Sequence, residues 1–370
     1  MILSLALVLA VLLLSYYNGA NDISKGIATM AGSGTVKDRT AILWGTITTT
    51  VGALVAIRVT SALVRTFSNG IVTQTVSSTV FPLAVAFGAC GWLFIATKTG
   101  LPVSTTHAIT GGLVGAGLAL FGGEGIAWSL LLKKIALPLA ISPLVSFGLA
   151  QLLFPITRMA LGSAQQYCVC MEVQQLAPIA LHSGVLALQN APTEVILDKN
   201  ENCNRTVSGP LKLNVIDGLH WLTSGLTSFA RGMNDTPKIA ALLLALPLFT
   251  STTNNAALIF GAVAVAMTLG GLLSGKKVLH TMAHKITSMD GLRGFTANLG
   301  SAALIIAGTF YGLPFSTTHV TTSAIVGIGT KTQSGARWKV VRDILLAWLV
   351  TLPIAALIAY VLGLVLRNNF

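Results

Sequence analysis

Gly100-Leu101-Pro102-Val103-Ser104-Thr105-Thr106-His107 returns 212 residues later as Gly312-Leu313-Pro314-Phe315-Ser316-Thr317-Thr318-His319. Only Val103 and Phe315 differ, and the likeness runs on from Ala108 to Gly117 against Val320 to Gly329. A second pair precedes these: Asn21-Asp22-Ile23-Ser24-Lys25 against Asn234-Asp235-Thr236-Pro237-Lys238, at an offset of 213. Two polar motifs in the same order and spacing mark an internal duplication.

The rest of the chain says what surrounds them. Of 370 residues 53% are hydrophobic and only 9% charged, and the mean hydropathy is +0.78. Soluble proteins carry about 25% charged residues, and several apolar stretches here reach the roughly 20 residues that cross a bilayer as helix. The sequence therefore reads as an all-α polytopic membrane protein. Its net charge of +12 is spread over short loops between apolar spans, which is the positive-inside bias of a membrane protein and not a nucleic-acid patch. The four cysteines have no metal-ligand spacing. Cys168, Cys170 and Cys203 fall in a central loop expected in the cytoplasm, where thiols stay reduced.

In chain order, an uncleaved first span (Met1 to Tyr17) meets Asn18-Gly19-Ala20-Asn21-Asp22, where a broken helix is expected. Spans follow at about 40–57 and 79–97, then the first Ser-Thr-Thr-His helix to about Gly122, then a span over 130–155. The programme repeats from Gly218: a span interrupted at Arg231 to Asp235, a span over 254–274, a basic loop over 276–293, a span over 294–310, the second Ser-Thr-Thr-His element and a last span over 343–366. The divisions are 1–157, a cytoplasmic linker over 158–217, and 218–370. Lysine and arginine bias puts Lys37, Arg39, Lys98, Arg158, Lys331, Arg337, Lys339 and Arg342 inside, with Arg58, Arg65, Lys133, Lys134, Arg367 and both termini outside. Counting each Ser-Thr-Thr-His element as one crossing gives five per half, an odd number. The halves are then inverted-topology repeats, an arrangement found in secondary transporters.

The motifs carry a specific chemistry. Ser104 and Ser316, each two residues after a proline and ahead of an apolar helix, read as helix N-caps. A helix N-terminus presents unpaired N–H groups and about half a positive charge. Two such ends meeting near the midplane suit a tetrahedral oxyanion, with Ser104, Thr105, Thr106, Ser316, Thr317 and Thr318 adding hydroxyls. An ionised aspartate at the centre of a membrane helix costs about 3 kcal/mol on insertion scales, so Asp22 and Asp235 need a partner or a function. Lys25 stands at the right spacing to pair with Asp22, and Arg231 and Lys238 with Asp235. The other reading makes Asn21, Asp22, Asn234 and Asp235 oxygen ligands for a small cation. Aspartates and an anion in one dry cavity call for co-bound cations, hence cation symport. His107 and His319 could bond to the anion, relay a proton or sit satisfied within the bundle, the last being favoured, and Gly111 to Gly117 read as close helix packing.

These paired motifs, Gly19-Ala20-Asn21-Asp22 with Gly232-Met233-Asn234-Asp235 and the two Pro-x-Ser-Thr-Thr-His elements, resemble the inorganic phosphate transporter (PiT) family over about 15–120 and 224–330. The resemblance implies a homodimeric, multi-pass carrier of inorganic phosphate in the cell membrane, working by alternating access with sodium as co-substrate and no cofactor. It implies phosphate contacts from Asp22, Ser104, Thr105, Thr106, Asn234, Asp235, Ser316, Thr317 and Thr318. Sodium would fall to Asn21, Asp22, Thr105, Asn234, Asp235 and Thr317, with Lys25, Lys238, Arg231, His107 and His319 behind them. Proton-coupled and sulfate-carrying members leave those alternatives open. An intramembrane hydrolase, with an aspartate dyad or a Ser-His pair, is the rival from another class. It has little use for two symmetric copies of one element.

Overall fold

The computed structural model describes residues 2–74, 78–173, 179–180, 186–187, 193–199, 212–246, 249, 253–331 and 335–369. The first half is α1 (Ile2–Asp22), α2 (Ser24–Gly32), α3 (Asp38–Val59), α4 (Ser61–Asn69), α5 (Val80–Thr99), α6 (Thr105–Phe121) and α7 (Trp128–Leu161). The second is α8 (Val215–Leu244), α9 (Thr253–Ser274), α10 (Lys276–His284), α11 (Gly291–Phe310), α12 (Thr317–Gly329) and α13 (Trp338–Asn369). The order repeats, with α8 answering to α1 and α2 together. Among the described residues, six stretches are long and apolar enough to cross a membrane: α1 with α2, α3, α5, α7, α9 and α13. Large apolar side chains such as Leu9, Leu144 and Leu349 stand exposed on their outer faces, while Asn21, Asp22, Lys25, Arg231, Asn234, Asp235 and Lys238 are buried. That polarity is inside out for water and right for lipid.

The two Ser-Thr-Thr-His elements are the short limbs of hairpins. Residues 71–73 bond to 125–127, so α5 begins where α6 ends. Arg337 N–H donates to Ile286 O at 2.9 Å, and Gly329 lies against Thr287, so α11 begins where α12 ends. These are opposite ends of the molecule. Helix α13 starts beside Ile286 and ends where Arg367 donates to Ala119 O at 3.3 Å; its 32 residues span about 48 Å. The hairpins therefore enter from opposite ends and meet tip to tip, neither passing through. Each replaces two of the counted crossings and leaves the parity of each half unchanged.

Packing is exchanged between the halves. Helix α13 lies on α5 and α6, and α7 lies on α11 and α12; α8 packs on α3, and α1 on α9. Lipid removes the hydrophobic drive for helix association, so close backbone approach must supply it. Gly19 and Gly270 abut the carbonyls of Met267 and Tyr16, and Gly52 and Gly232 abut those of Phe229 and Thr49. In α6, Gly111 and Gly115 rest on the carbonyls of Leu352 and Ala356 in α13, as the sequence suggested.

Several expectations are corrected. Helix α8 is continuous through Arg231 to Asp235, and only Ile23, itself with helical dihedrals, separates α1 from α2. The reason is periodicity: Asn18, Asn21, Asp22 and Lys25, like Arg231, Asn234, Asp235 and Lys238, fall at i, i+3, i+4 and i+7. An unbroken helix gathers each set on one face. The basic loop over 276–293 is largely α10, a short amphipathic helix. The linker carries an antiparallel sheet ordered β4-β1-β5 (Thr193–Lys199, Tyr167–Val173, Lys212–Asn214), and β2 (Ile179–Ala180) pairs with β3 (Leu186–Ala187). Cys168 is disulfide-bonded, so the expectation of reduced thiols fails there: folding the linker into a sheet brings it a sulfur that linear spacing hides. Cys203 and the Asn204-Arg205-Thr206 sequon lie outside the described residues.

A methyl group at Gly115 would fall on the Ala356 carbonyl, whereas one at Gly123 meets nothing within 4 Å. Gly115→Val is expected to destabilise by about 1–3 kcal/mol or more and to lower the melting temperature of the purified protein. Gly123→Val should melt as the wild type. Equal melting of both variants would mean that α6 and α13 do not pack this closely.

Candidate anion and cation site

Eight polar side chains, four from each stripe, line the centre where the hairpin tips meet, and none is more than 1% exposed. Each tip is built the same way. Helix α5 ends at Gly100 with φ 76°, and α11 ends near Gly312 with φ 67°. Both turns carry paired closing bonds: Gly100 N–H to Thr97 O and Leu101 N–H to Ala96 O, then Gly312 N–H to Thr309 O and Leu313 N–H to Gly308 O. A positive φ of this kind is open to glycine with least strain. The chain then runs extended to Ser104 and Ser316, whose hydroxyls accept from His107 N–H and His319 N–H, each at 3.2 Å, and cap α6 and α12.

That extended backbone has no helical partner, and Asn21, Lys25 and Lys238 satisfy part of it. Asn21 donates to Leu101 O at 2.9 Å and accepts from Val103 N–H at 3.1 Å. Asn234 donates to Thr309 Oγ1 at 2.8 Å. Lys25 Nζ donates to Val103 O at 3.2 Å and Lys238 Nζ to Phe315 O at 3.1 Å. Each ammonium also pairs with its aspartate, Lys25 with Asp22 and Lys238 with Asp235 at 3.2 Å. Thr105 Oγ1 donates to Asp22 Oδ2 at 3.1 Å, and Thr317 Oγ1 to Asp235 Oδ2 at 3.5 Å. Lys238 further bonds Asn234 Oδ1, and Thr106 Oγ1 at 2.7 Å. Thr318 Oγ1 donates to Val103 O at 2.6 Å, tying one tip to the other.

The two stripes part at one position. Asn18 occupies the place in α1 that Arg231 holds in α8, and they meet: Arg231 Nη2 donates to Asn18 Oδ1 at 3.0 Å. The Asn18 amide donates to Asp22 Oδ2 at 3.0 Å, Thr105 Oγ1 at 2.9 Å and Asp235 Oδ2 at 3.5 Å. Arg231 Nε stands 3.7 Å from the Asp235 carboxylate, and neither Nε nor Nη1 has a hydrogen-bond partner. Three cations thus surround two carboxylates in a space closed to both ends.

All of Asn21, Asp22, Ser104, Thr105, Thr106, Asn234, Asp235, Ser316, Thr317 and Thr318 are brought together here, with Lys25, Lys238 and Arg231 in direct contact rather than behind them. Asn18 was missed, although the offset of 213 that pairs Asp22 with Asp235 also pairs it with Arg231. His107 and His319 turn away from the site, and the expectation that they are satisfied fails: His107 Nδ1 and both ring nitrogens of His319 have no hydrogen bond of good geometry. The two rings lie against each other at a tilt of 43°, centroids 4.5 Å apart, and the His319 centroid is 3.9 Å from that of the Trp348 ring.

A multi-pass protein with a sealed, charged site between two opposed hairpins fits the class of membrane transporters. The chain belongs to the phosphate transporter family, whose profile matches residues 18–359. It is 30% identical over 362 residues to a probable low-affinity inorganic phosphate transporter of Rhizobium meliloti (strain 1021), covering 96% of this chain and 94% of that one. A protein of the same description from Bacillus subtilis (strain 168) is 27% identical over 375 residues, covering 100% and 99%. Among solved structures, a sodium-dependent phosphate transporter shares the fold over 100% of both chains, with a TM-score of 0.80 at 23% identity.

Removing one member of a buried ion pair costs about 3–5 kcal/mol because the other charge is left alone. Lys25→Met is therefore expected to lower the melting temperature markedly, and adding Asp22→Asn should recover most of the loss. Melting of the single variant at the wild-type temperature would show that Lys25 and Asp22 are not paired in the resting protein.

Proposed function

We propose that the chain imports inorganic phosphate across the cell membrane by sodium symport, through alternating access between two inverted repeats, in the homodimer that the family resemblance implies. The observation that carries this reading is the pair of capped helix N-termini, whose Thr105 and Thr317 reach Asp22 and Asp235, beside Arg231, which faces Asp235. Its Nε and Nη1 lack hydrogen-bond partners, and a guanidinium fork matches the oxygens of a phosphate. Ser104, Thr105, Thr106, Ser316, Thr317 and Thr318 hydroxyls and the first N–H groups of α6 and α12 complete the anion pocket. Asp22 and Asp235, with Asn21, Asn234, Thr105 and Thr317, supply oxygens for sodium. The carboxylates also argue for phosphate over sulfate: a protonated phosphate can donate to them, and sulfate at neutral pH can only repel them.

Charge supports the coupling. Lys25, Arg231 and Lys238 against Asp22 and Asp235 leave a formal charge of +1. A monovalent phosphate brings the site to zero, whereas the divalent form leaves an excess negative charge that is costly in a dry interior. A co-transported cation removes that cost. The neighbouring solved structure is sodium-dependent by its description, which favours sodium over protons. Alternating access draws support from the hairpins: each seals the site from its own end, so withdrawing one at a time exposes the site to one side.

Orientation has two readings. The end bearing Lys37, Arg39, Arg158, Lys285, Arg337 and Lys339 is the more basic, which puts it and the central linker in the cytoplasm, with both termini outside. The Cys168 disulfide favours the reverse, because such bonds persist in oxidising compartments. We favour the first, since the basic residues are many and the disulfide single.

Radiolabelled phosphate uptake into proteoliposomes tests the reading. An inward sodium gradient should drive uptake, excess sulfate should not compete, and Asp22→Asn or Asp235→Asn should lower the rate at least about tenfold while the protein elutes normally. Uptake driven only by a proton gradient would overturn sodium coupling but keep the anion pocket. Wild-type sodium-driven rates in both variants would remove the aspartates from the mechanism.

A further inference from the structure

A second cavity, of about 910 Å³, lies on the far side of the same two helices. Helices α7 and α13 form its walls with Leu139, Ala140, Leu144, Val341, Leu345 and Leu349, and their outer faces carry exposed leucines and isoleucines suited to lipid. Trp128 and Trp338 mark its two ends, and both are largely exposed. Tryptophans at such places sit at the two membrane–water boundaries, so the cleft runs the depth of the bilayer and opens toward acyl chains.

Its floor is polar at mid-height. His107, Thr110, His319 and Thr322 line it, two from α6 and two from α12 at the 212-residue offset. Thr110 and Thr322 are each 2% exposed, and their hydroxyls have no hydrogen-bond partner; nor has His107 Nδ1. A helical threonine can turn its hydroxyl to the preceding turn, and the adjacent Thr321 does so, donating to Thr317 O at 2.9 Å. The His319 ring approaches the Leu139 carbonyl without reaching hydrogen-bond geometry. Buried polar groups without partners are rare and costly. Here they are duplicated by symmetry and gathered at the base of an otherwise apolar cleft of the size that binds small amphiphiles.

We propose that this cleft binds a lipid whose head is small and uncharged, a hydroxyl or protonated carboxyl, with its chain between α7 and α13 and its head on His107, Thr110, His319 and Thr322. A phosphate-bearing headgroup is excluded by depth: it would have to leave the interface for the midplane, where nothing on this face neutralises it. The ligand would rest against α6 and α12 opposite Thr105 and Thr317, since residues two and five positions on fall on the far side of a helix. It thereby braces the two N-termini of the transport site from behind.

The test uses the whole chain in phosphatidylcholine nanodiscs and two photoactivatable probes, a long-chain fatty alcohol with a mid-chain diazirine and a phosphatidylcholine with the same chain. After irradiation, labelled peptides are mapped. The alcohol should label the cleft walls at least about fivefold more than the phosphatidylcholine, while both label the outer face of α1 alike. Thr110→Val with Thr322→Val should reduce cleft labelling at least about threefold, and Ala140→Phe, which fills the cleft, should abolish it. Equal labelling by the two probes, or labelling indifferent to both variants, overturns the proposal. So does protection of the cleft from both probes, which would mean that a second copy of the chain covers it.

Discussion

Two stretches of extended backbone, residues 100–104 and 312–316, sit at the centre of a protein built for lipid, and much of the interior answers to them. Backbone that leaves the helix in a membrane must be buried against protein groups that satisfy it. The Asn21 amide and the Lys25 and Lys238 ammoniums do that here, reaching Leu101, Val103 and Phe315. Those ammoniums then need counter-charges in a place without water, and Asp22 and Asp235 provide them. The charges are therefore linked to the hairpins: if the tips were helical, the carbonyls that hold the lysines would already be taken.

Symmetry explains why the solution appears twice, and its one departure explains direction of charge. With asparagine at both equivalent positions, two lysines would face two aspartates and the site would be neutral. Arg231 opposite Asn18 adds one positive charge to a closed space, so the resting site attracts an anion. Asn18 also answers the guanidinium as acceptor while its amide serves both carboxylates. One side chain thus joins the two stripes.

Much of this was legible in the sequence, and the failures share a cause. The repeat, the caps at Ser104 and Ser316 and the glycine packing rest on spacing within a single element, which a linear reading can weigh. The break expected at Asn21 and at Asn234 came from counting polar residues in an apolar span without asking on which face they fall. At i, i+3, i+4 and i+7 they form a stripe, and a stripe favours a continuous helix. Unwound backbone does exist, but in the hairpin tips, where Gly100 and Gly312 signalled it. The histidines misled for a related reason: beside the Ser-Thr-Thr triplets they looked like members of the bundle, but two positions around the helix put them on the opposite wall. The linker strands were missed because charge and length drew attention away from the β-branched residues Thr193, Val195 and Ile196.

On the proposed alternating-access reading, the contacts that close the site are also the ones transport must break, and this sets a condition on the carried ions. Thr318 to Val103, and Lys238 to Thr106, run from one half to the other. Separating the tips would cost the Thr318 hydroxyl its acceptor and Lys238 one of its partners, while Lys25 keeps Val103 O and Lys238 keeps Asn234, Asp235 and Phe315 O, unless water enters from the side that opens. That penalty holds the empty site shut equally toward both ends. An anion bridging Arg231 and the hydroxyls of α6 and α12 would hold both tips as well, so binding alone strengthens closure. Opening must then come from unequal strain in the two halves, and their clearest difference in the site is that the arginine belongs to α8 and has no counterpart on α1. On the proposed alternating-access reading, the half bearing Arg231 would retain the anion while the opposite hairpin withdraws, which would make hydration of the two sides unequal even though the folds that flank them match.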